Sequence, residues 1–117
     1  MKENPVKDKS FAFAIRIVNL YKYLVENKHE FVLSKQLLRS GTAIGALVRE
    51  AEQAESKADF IHKLSISLKE ANETDYWIEL LFQTDFLSEK EYTTIKGDGE
   101  ELIKLLVAII KTSKTRK

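Results

Sequence analysis

The chain has 117 residues, which fits one domain large enough to bury a core. It contains no cysteine, and this excludes a disulfide framework or a thiolate metal site. Four glycines and one proline supply few turns, so the composition favours a few long helices over many strands. The formal net charge of +1 by itself favours no class of partner.

Two features of the sequence bear on location. The first ten residues, MKENPVKDKS, lack the apolar segment of a signal peptide. The longest apolar run, residues 105–110, is far too short to cross a bilayer. We therefore expect a cytoplasmic protein that has no membrane partner.

The first helix is predicted to follow a flexible lead of about residues 1–8, with Asp8 or Ser10 as its cap and an end near Glu26. It carries two apolar rows at helical spacing, which indicates two packed neighbours or burial against another subunit. The rows are Phe11, Ala14, Val18, Tyr21 and Val25, and Phe13, Ile17, Leu20 and Leu24.

The second helix is predicted from about Ser34 to about Gln53. Its Gly41 and Gly45 each cost about 1 kcal/mol of helix propensity, so close packing or a bend is expected to offset them. This Gly-x-x-x-Gly pair is not a transmembrane dimerisation motif, because the charged Arg39 and Arg49 flank it. For both arginines we favour ion pairs between helices or between subunits, made with Glu50 and the acids of the third helix, and phosphate contacts are the alternative.

Residues 56–87 predict a third, long helix against which the other segments lie, with a cap at Ser56 and a tight turn at 84–87. Its adjacent aromatic residues Tyr76 and Trp77 point about 100° apart, so one is expected in the bundle and the other at a subunit interface. A base-stacking platform is the alternative.

Ser88 and Glu91 form a Ser-x-x-Glu capping box that opens the fourth helix. Gly97 and Gly99 predict a kink, a frayed turn or a break within it. Four helices with short connections predict a single all-α domain over residues 1–117, folded as an antiparallel up-down four-helix bundle.

Two segments resemble a known family. They are QLLRSGTAIGALVREA (residues 36–51) and KADFIHKLSISLKEANETDYWIELL (residues 57–81). Both are similar to signatures of the four-helix-bundle proteins of 23S ribosomal RNA intervening sequences. The accessory variability determinant of diversity-generating retroelements belongs to the same group.

The resemblance implies an antiparallel four-helix bundle that assembles as a homopentamer and has no known enzymatic activity. For the retroelement relatives it also implies binding to nucleic acid and to a reverse transcriptase through a basic surface. This chain departs from the pattern at Leu47, often Asn in the family, and at Ala51, usually Gly. The second departure leaves open whether helix two ends there or continues to Glu55. The near-neutral charge favours the intervening-sequence branch.

From these observations we predict a non-enzymatic, homo-oligomeric scaffold or accessory protein, most simply a pentamer, that binds RNA or DNA weakly and needs no cofactor. The basic tail (about 112–117) is alternatively a frayed, solvated terminus. The candidate nucleic-acid contacts are Lys35, Arg39, Arg49, Lys111, Lys114, Arg116 and Lys117, and the candidate subunit contacts are Phe13, Ile17, Tyr76 and Trp77.

Two other functions stay open. The first is a protein–protein adaptor that binds no nucleic acid. The second is a bundle enzyme with a carboxylate–histidine metal site, because Glu26 with His29 and Asp59 with His62 each have i, i+3 spacing. A matching pair of inward glutamates is not evident, which disfavours the metal site.

Overall fold

The structure is a computed structural model, and it describes residues 4–116. Within this range the chain forms four helices and no strand, which confirms the all-α prediction. The helices are α1 (Pro5–Glu26), α2 (Leu33–Glu52), α3 (Lys57–Gln83) and α4 (Glu89–Thr115). None of them is long and apolar enough to cross a membrane.

The helices pack in a ring in chain order, since α1 and α3 each contact both α2 and α4. Cross-helix ion pairs give the directions. Lys9 pairs with Glu101 while Arg16, further along α1, pairs with Asp98, which lies earlier in α4. The two helices are therefore antiparallel, and cross-helix pairs between α2 and α3 and between α3 and α4 show the same reversal.

The core is an apolar stripe from each helix. Its fully buried members include Ile17, Leu24, Leu37, Ile44, Leu64, Ile78, Leu81, Leu102 and Leu106. Helices α1 and α2 approach most closely at the two glycines of α2. A Cβ atom on Gly41 would lie 2.8 Å from the side chain of Ile17, and one on Gly45 would lie 3.2 Å from the backbone oxygen of Ser10. Close packing is therefore what these glycines provide.

Helix α1 begins earlier than predicted. Asn4 is its cap and accepts a hydrogen bond from the backbone N–H of Lys7 (3.2 Å), with Pro5 at the first helical position. Proline suits that position because its missing N–H would have no intrahelical partner there. The predictions of a flexible lead to residue 8 and of Asp8 or Ser10 as cap were therefore wrong for the described residues.

The turn between α2 and α3 is set by two local features. The backbone N–H groups of Gln53 and Ala54 bond to Glu50 and Ala51, which tightens the last turn of α2. Ser56 then caps α3 by accepting from the N–H of Asp59 (3.0 Å). Helix α2 therefore ends at Glu52 and does not continue to Glu55.

The start of α4 confirms the predicted capping box, because Ser88 and Glu91 each accept the other's backbone N–H. The helix is continuous through Gly97 and Gly99, so the predicted break is absent. Gly99 packs against the Phe13 ring, and the buried Ile95 and Leu102 on either side hold the segment to the core.

Candidate assembly surface

The outer seam between α2 and α3 is bridged by charged side chains. Arg39 on α2 contacts both Glu70 (3.3 Å) and Glu73 on α3. Further along, Lys63 lies 3.1 Å from Glu50. These partly exposed pairs add little stability each, but they leave this seam polar along its length.

The seam between α3 and α4 is also polar. Lys96 lies 3.0 Å from Asp75 and 3.6 Å from Glu79, and the Tyr92 hydroxyl donates to Glu79 (2.6 Å). That hydrogen bond lowers the pKa of Glu79 and raises the pKa of Tyr92. Burial lowers the pKa of Lys96, but the hydrogen bond to Asp75 and the charges of Asp75, Tyr92 and Glu100 together outweigh it, and the net shift is upward. The network favours ionised Glu79 and Lys96.

The seam between α1 and α4 carries two bridges. Lys9 lies 3.0 Å from Glu101. Arg16 contacts Asp98 and donates to the side chain of Thr94 (3.2 Å). Polar contacts therefore cross this seam as well.

The seam between α1 and α2 differs from the other three. Polar contacts cross it at one end, where Lys7 and Asn4 meet Glu52 at 3.2 and 3.1 Å. Among residues 4–116 no other ion pair crosses it. Its outer surface is instead a shallow apolar groove of two adjoining cavities of about 240 and 230 Å³. We call it the α1/α2 groove, lined by Phe11, Ala14, Ile15, Val18, Asn19, Thr42, Gly45, Ala46 and Arg49.

Large side chains remain exposed in this groove. Phe11 is 52% exposed and Ile15 is 50% exposed. The guanidinium carbon of Arg49 lies 4.9 Å from the centre of the Phe11 ring, a cation–π contact. Arg49 has no ion pair with any residue of the described range 4–116. The groove thus combines uncovered apolar surface with a cation that makes no ion pair within residues 4–116.

Residues 2–108 match the family model of the 23S rRNA-intervening sequence protein. The chain belongs to this family. The match spans most of the chain and includes all of α1, α2 and α3. It agrees with the resemblance carried by residues 36–51 and 57–81.

A solved structure is also very similar to this member of the intervening-sequence family. It is a protein with unknown function from the S23 ribosomal protein family of Bacteroides thetaiotaomicron, with 63% sequence identity. The alignment covers 91% of this chain and 98% of that chain, with a TM-score of 0.90. No match to a curated protein is found.

The structure corrects two of the four predicted subunit contacts. Phe13 is 2% exposed and Ile17 is fully buried, so both lie in the core of the single chain. The apolar row of α1 that faces outward is instead the row that begins at Phe11. Tyr76 is 59% exposed, whereas Trp77 packs against the core and donates to Glu73 (3.0 Å). One of the two aromatic side chains therefore packs on the bundle and the other is exposed, as their spacing predicted.

The candidate nucleic-acid contacts do not form one patch. Arg39 contacts glutamates of α3, as the ion-pair prediction expected. Arg49 rests on Phe11 and has no ion pair within residues 4–116, so an ion pair between helices was wrong for it, whereas an ion pair between subunits stays a prediction. The remaining ones are Lys35, exposed near the start of α2, and Lys111, Lys114 and Arg116, exposed at the end of α4. Lys57 contacts the backbone oxygen of Arg116. Lys117 lies outside the described residues.

The two candidate metal pairs are placed apart from one another. His29 lies in the turn after α1, and His62 is exposed on α3. Asp59 accepts from the backbone N–H of Glu55 (3.3 Å). Within residues 4–116, no group of three or more His, Asp or Glu residues is placed to hold a metal ion.

Glu30, which organises the α1–α2 turn, is not among the residues singled out from the sequence. Its carboxylate, in a residue only 9% exposed, accepts the backbone N–H groups of Val32, Leu33 and Ser34 at 3.2, 3.0 and 2.6 Å. Burial raises the pKa of Glu30, but these hydrogen bonds outweigh it and the pKa falls below its ordinary value. The sequence signal for this role was that Val32 occupies the cap position of α2, where Ser, Thr, Asp or Asn is usual.

Proposed function

We propose that this protein is a non-enzymatic, homo-oligomeric scaffold that assembles through the α1/α2 groove. The proposal rests on one observation: within residues 4–116 the α1/α2 seam has its one ion pair at an end, and exposed apolar side chains line the groove along the seam. Apolar surface that stays exposed in a small protein is typical of an interaction site. The pentamer implied by the family resemblance is the assembly we expect.

The assembly half of the proposal is tested by the solution mass of the purified protein and of two matched variants. Ile15→Glu places a charge in the groove, and Thr93→Glu places the same charge at an exposed site on α4. The wild type and Thr93→Glu are expected as oligomers, and Ile15→Glu as a single chain with unchanged helical content. A wild type that is a single chain at micromolar concentration would refute this half.

We further propose that the assembled scaffold binds RNA or DNA weakly through the end of α4. The support is the cluster Lys111, Lys114 and Arg116, whose side chains have no ion pair with any other residue in the described range 4–116. Repetition of this cluster in an oligomer would multiply a weak electrostatic contact. Each phosphate contact would then contribute a slope of about −0.7 to −0.9 to log K against log salt concentration.

The nucleic-acid half is tested by salt-titrated binding to structured RNA and to duplex DNA. The variant Lys111→Glu/Lys114→Glu is compared with Lys22→Glu/Lys90→Glu, which changes the net charge equally at the opposite end of the bundle. The first is expected to lose salt-sensitive binding and the second to keep it. Equal binding by both variants would contradict a site at the end of α4.

A second candidate function is a protein–protein adaptor. The observation that favours it is the α1–α2 turn, where Phe31 and Val32 are 56% and 70% exposed on a segment fixed by Glu30. An oligomer that shows no salt-sensitive nucleic-acid binding, and whose binding to a protein partner is lost in Phe31→Ser, would support this function over the first.

A further inference from the structure

The α1/α2 groove sets chemical requirements on whatever covers it. Its floor is made of small residues, Ala14, Gly45 and Ala46, so it accepts one protruding apolar or aromatic side chain. At its edge stands Arg49, with one side against the Phe11 ring. Because like charges placed together in an interface are costly, the surface around the entering side chain should carry more acids than bases.

Four large apolar residues outside the groove are exposed in the described range, and three of them fail this requirement. Val107 on α4 lies between Lys104 and Lys111, which share its helical face. Phe31 and Val32 lie in a turn flanked by Lys28 and Lys35. Each of these would bring lysines towards Arg49.

Tyr76 meets the requirement. Its neighbours on the same face of α3 are Asn72, Glu73, Glu79 and Leu80. Arg39 and Lys96 contact these two glutamates, but both also contact a further acid, Glu70 or Asp75, so acids outnumber bases four to two on this surface. The side chain is 59% exposed and is supported from the side by Trp77, whose ring centre lies 5.1 Å away in an edge-to-face arrangement. Tyrosine and arginine are among the residues that contribute most to interface energies.

We propose that Tyr76 of a second copy of this chain occupies the α1/α2 groove and contacts Arg49. The proposal deepens the proposed function, on which it rests, by naming the two surfaces that meet. The partner's Tyr76 covers the apolar floor at Ala46 and lies beside the guanidinium. The acids on its helical face bring carboxylates towards a cation that makes no ion pair within the described part of its own chain.

This contact is heterologous, which means that two different surfaces meet. The groove lies on α1 and α2, whereas Tyr76 lies on α3, which does not contact α1. Each copy therefore donates its Tyr76 to one neighbour and its groove to another. Contacts of this kind close into rings when the rotation between copies allows it.

The test uses one variant for each surface. Ile15→Glu blocks the groove and leaves Tyr76 intact, and Tyr76→Lys places a cation opposite Arg49 and leaves the groove intact. Each is expected to be a single chain alone, because every contact in a homo-oligomer then lacks one surface. An equimolar mixture is expected to form a two-chain complex of twice the 13.5 kDa chain mass. Tyr76→Phe is the matched control and is expected to assemble like the wild type.

The outcomes separate this inference from the proposed function. If the wild type is an oligomer and Tyr76→Lys assembles equally well, or if the mixture stays at the single-chain mass, the Tyr76 contact is refuted and assembly through the groove survives. If the wild type itself is a single chain, the proposed function fails and this contact fails with it. Circular dichroism of both variants checks that each is folded before mixing.

Discussion

The guanidinium carbon of Arg49 on α2 lies 4.9 Å from the centre of the Phe11 ring on α1, whereas the arginines of two other seams face carboxylates. A ring neutralises no charge, so the cation stays available to an acidic or aromatic partner. The single chain gains only about 0.5–1 kcal/mol from such an exposed contact.

We therefore expect Arg49→Ala to weaken assembly more than folding. In dilution experiments by analytical ultracentrifugation, the dissociation constant between copies should rise roughly tenfold or more, as for an interface residue worth more than 1 kcal/mol. The free energy of unfolding of the single chain should change by less than about 1 kcal/mol. Arg116→Ala, which removes an exposed arginine that does not line the groove, should change neither quantity.

Replacement by alanine should have opposite effects on stability at Gly41 and at Gly97. A Cβ atom at Gly41 would lie 2.8 Å from two side-chain carbons of Ile17, so Gly41→Ala should destabilise the fold by about 1–3 kcal/mol. At Gly97 no atom lies within 4 Å, so Gly97→Ala should stabilise α4 by about 0.5–1 kcal/mol. Urea unfolding of the two variants measures both; a stabilised Gly41→Ala would refute the close approach of α1 and α2.

These glycines also show what the sequence could and could not predict. Helical spacing and the caps at Ser56 and Ser88 locate α3 and α4 from local signals. Local signals do not show which of the two rows of α1 faces inward, since both rows are apolar at the same spacing. The row that contains Ile17 faces inward because Gly41 on α2 leaves room for the Ile17 side chain. These two residues are 24 positions apart in sequence, so the pattern of α1 alone does not reveal the contact.

Glu30 makes the stability of the α1–α2 turn depend on pH. Its pKa in the folded chain is below the ordinary 4.5, so its ionised form stabilises the fold above about that pH. This contribution is lost as the pH falls through the lowered value. Glu30→Gln should cost about 1–2 kcal/mol at neutral pH, since hydrogen bonds to a charged acceptor are the stronger ones.

The check is a series of urea unfolding curves for the wild type and Glu30→Gln between neutral and acid pH. The difference in unfolding free energy should be largest at neutral pH and should shrink below about pH 4.5. Glu26→Gln removes the same charge from an exposed position nearby and serves as the control. A difference that stays constant with pH would mean that the carboxylate charge is not what fixes the turn.

Ser40 on α2 and Thr74 on α3 form a buried polar pair that should show coupled mutational effects. Their hydroxyl oxygens lie 2.9 Å apart, both residues are at most 1% exposed, and Thr74 is also bonded to the backbone oxygen of Glu70 (2.8 Å). Thr74→Val keeps the shape of the side chain but removes the hydroxyl that is bonded to Ser40. The buried Ser40 hydroxyl then lacks a good hydrogen-bond partner, which should lower the free energy of unfolding by about 1–2 kcal/mol.

Replacing both hydroxyls removes that penalty, so Ser40→Ala/Thr74→Val should be less destabilised than the sum of the two single variants. A double-mutant cycle measured by urea unfolding gives the coupling, expected at about 0.5–1.5 kcal/mol for directly bonded groups. Ser65→Ala, at an exposed hydroxyl on α3 bonded to the backbone of Ile61, should add independently to either change. Additivity of Ser40 and Thr74 would mean that each hydroxyl is satisfied by its own helix backbone, and that the hydrogen bond between α2 and α3 contributes nothing to stability.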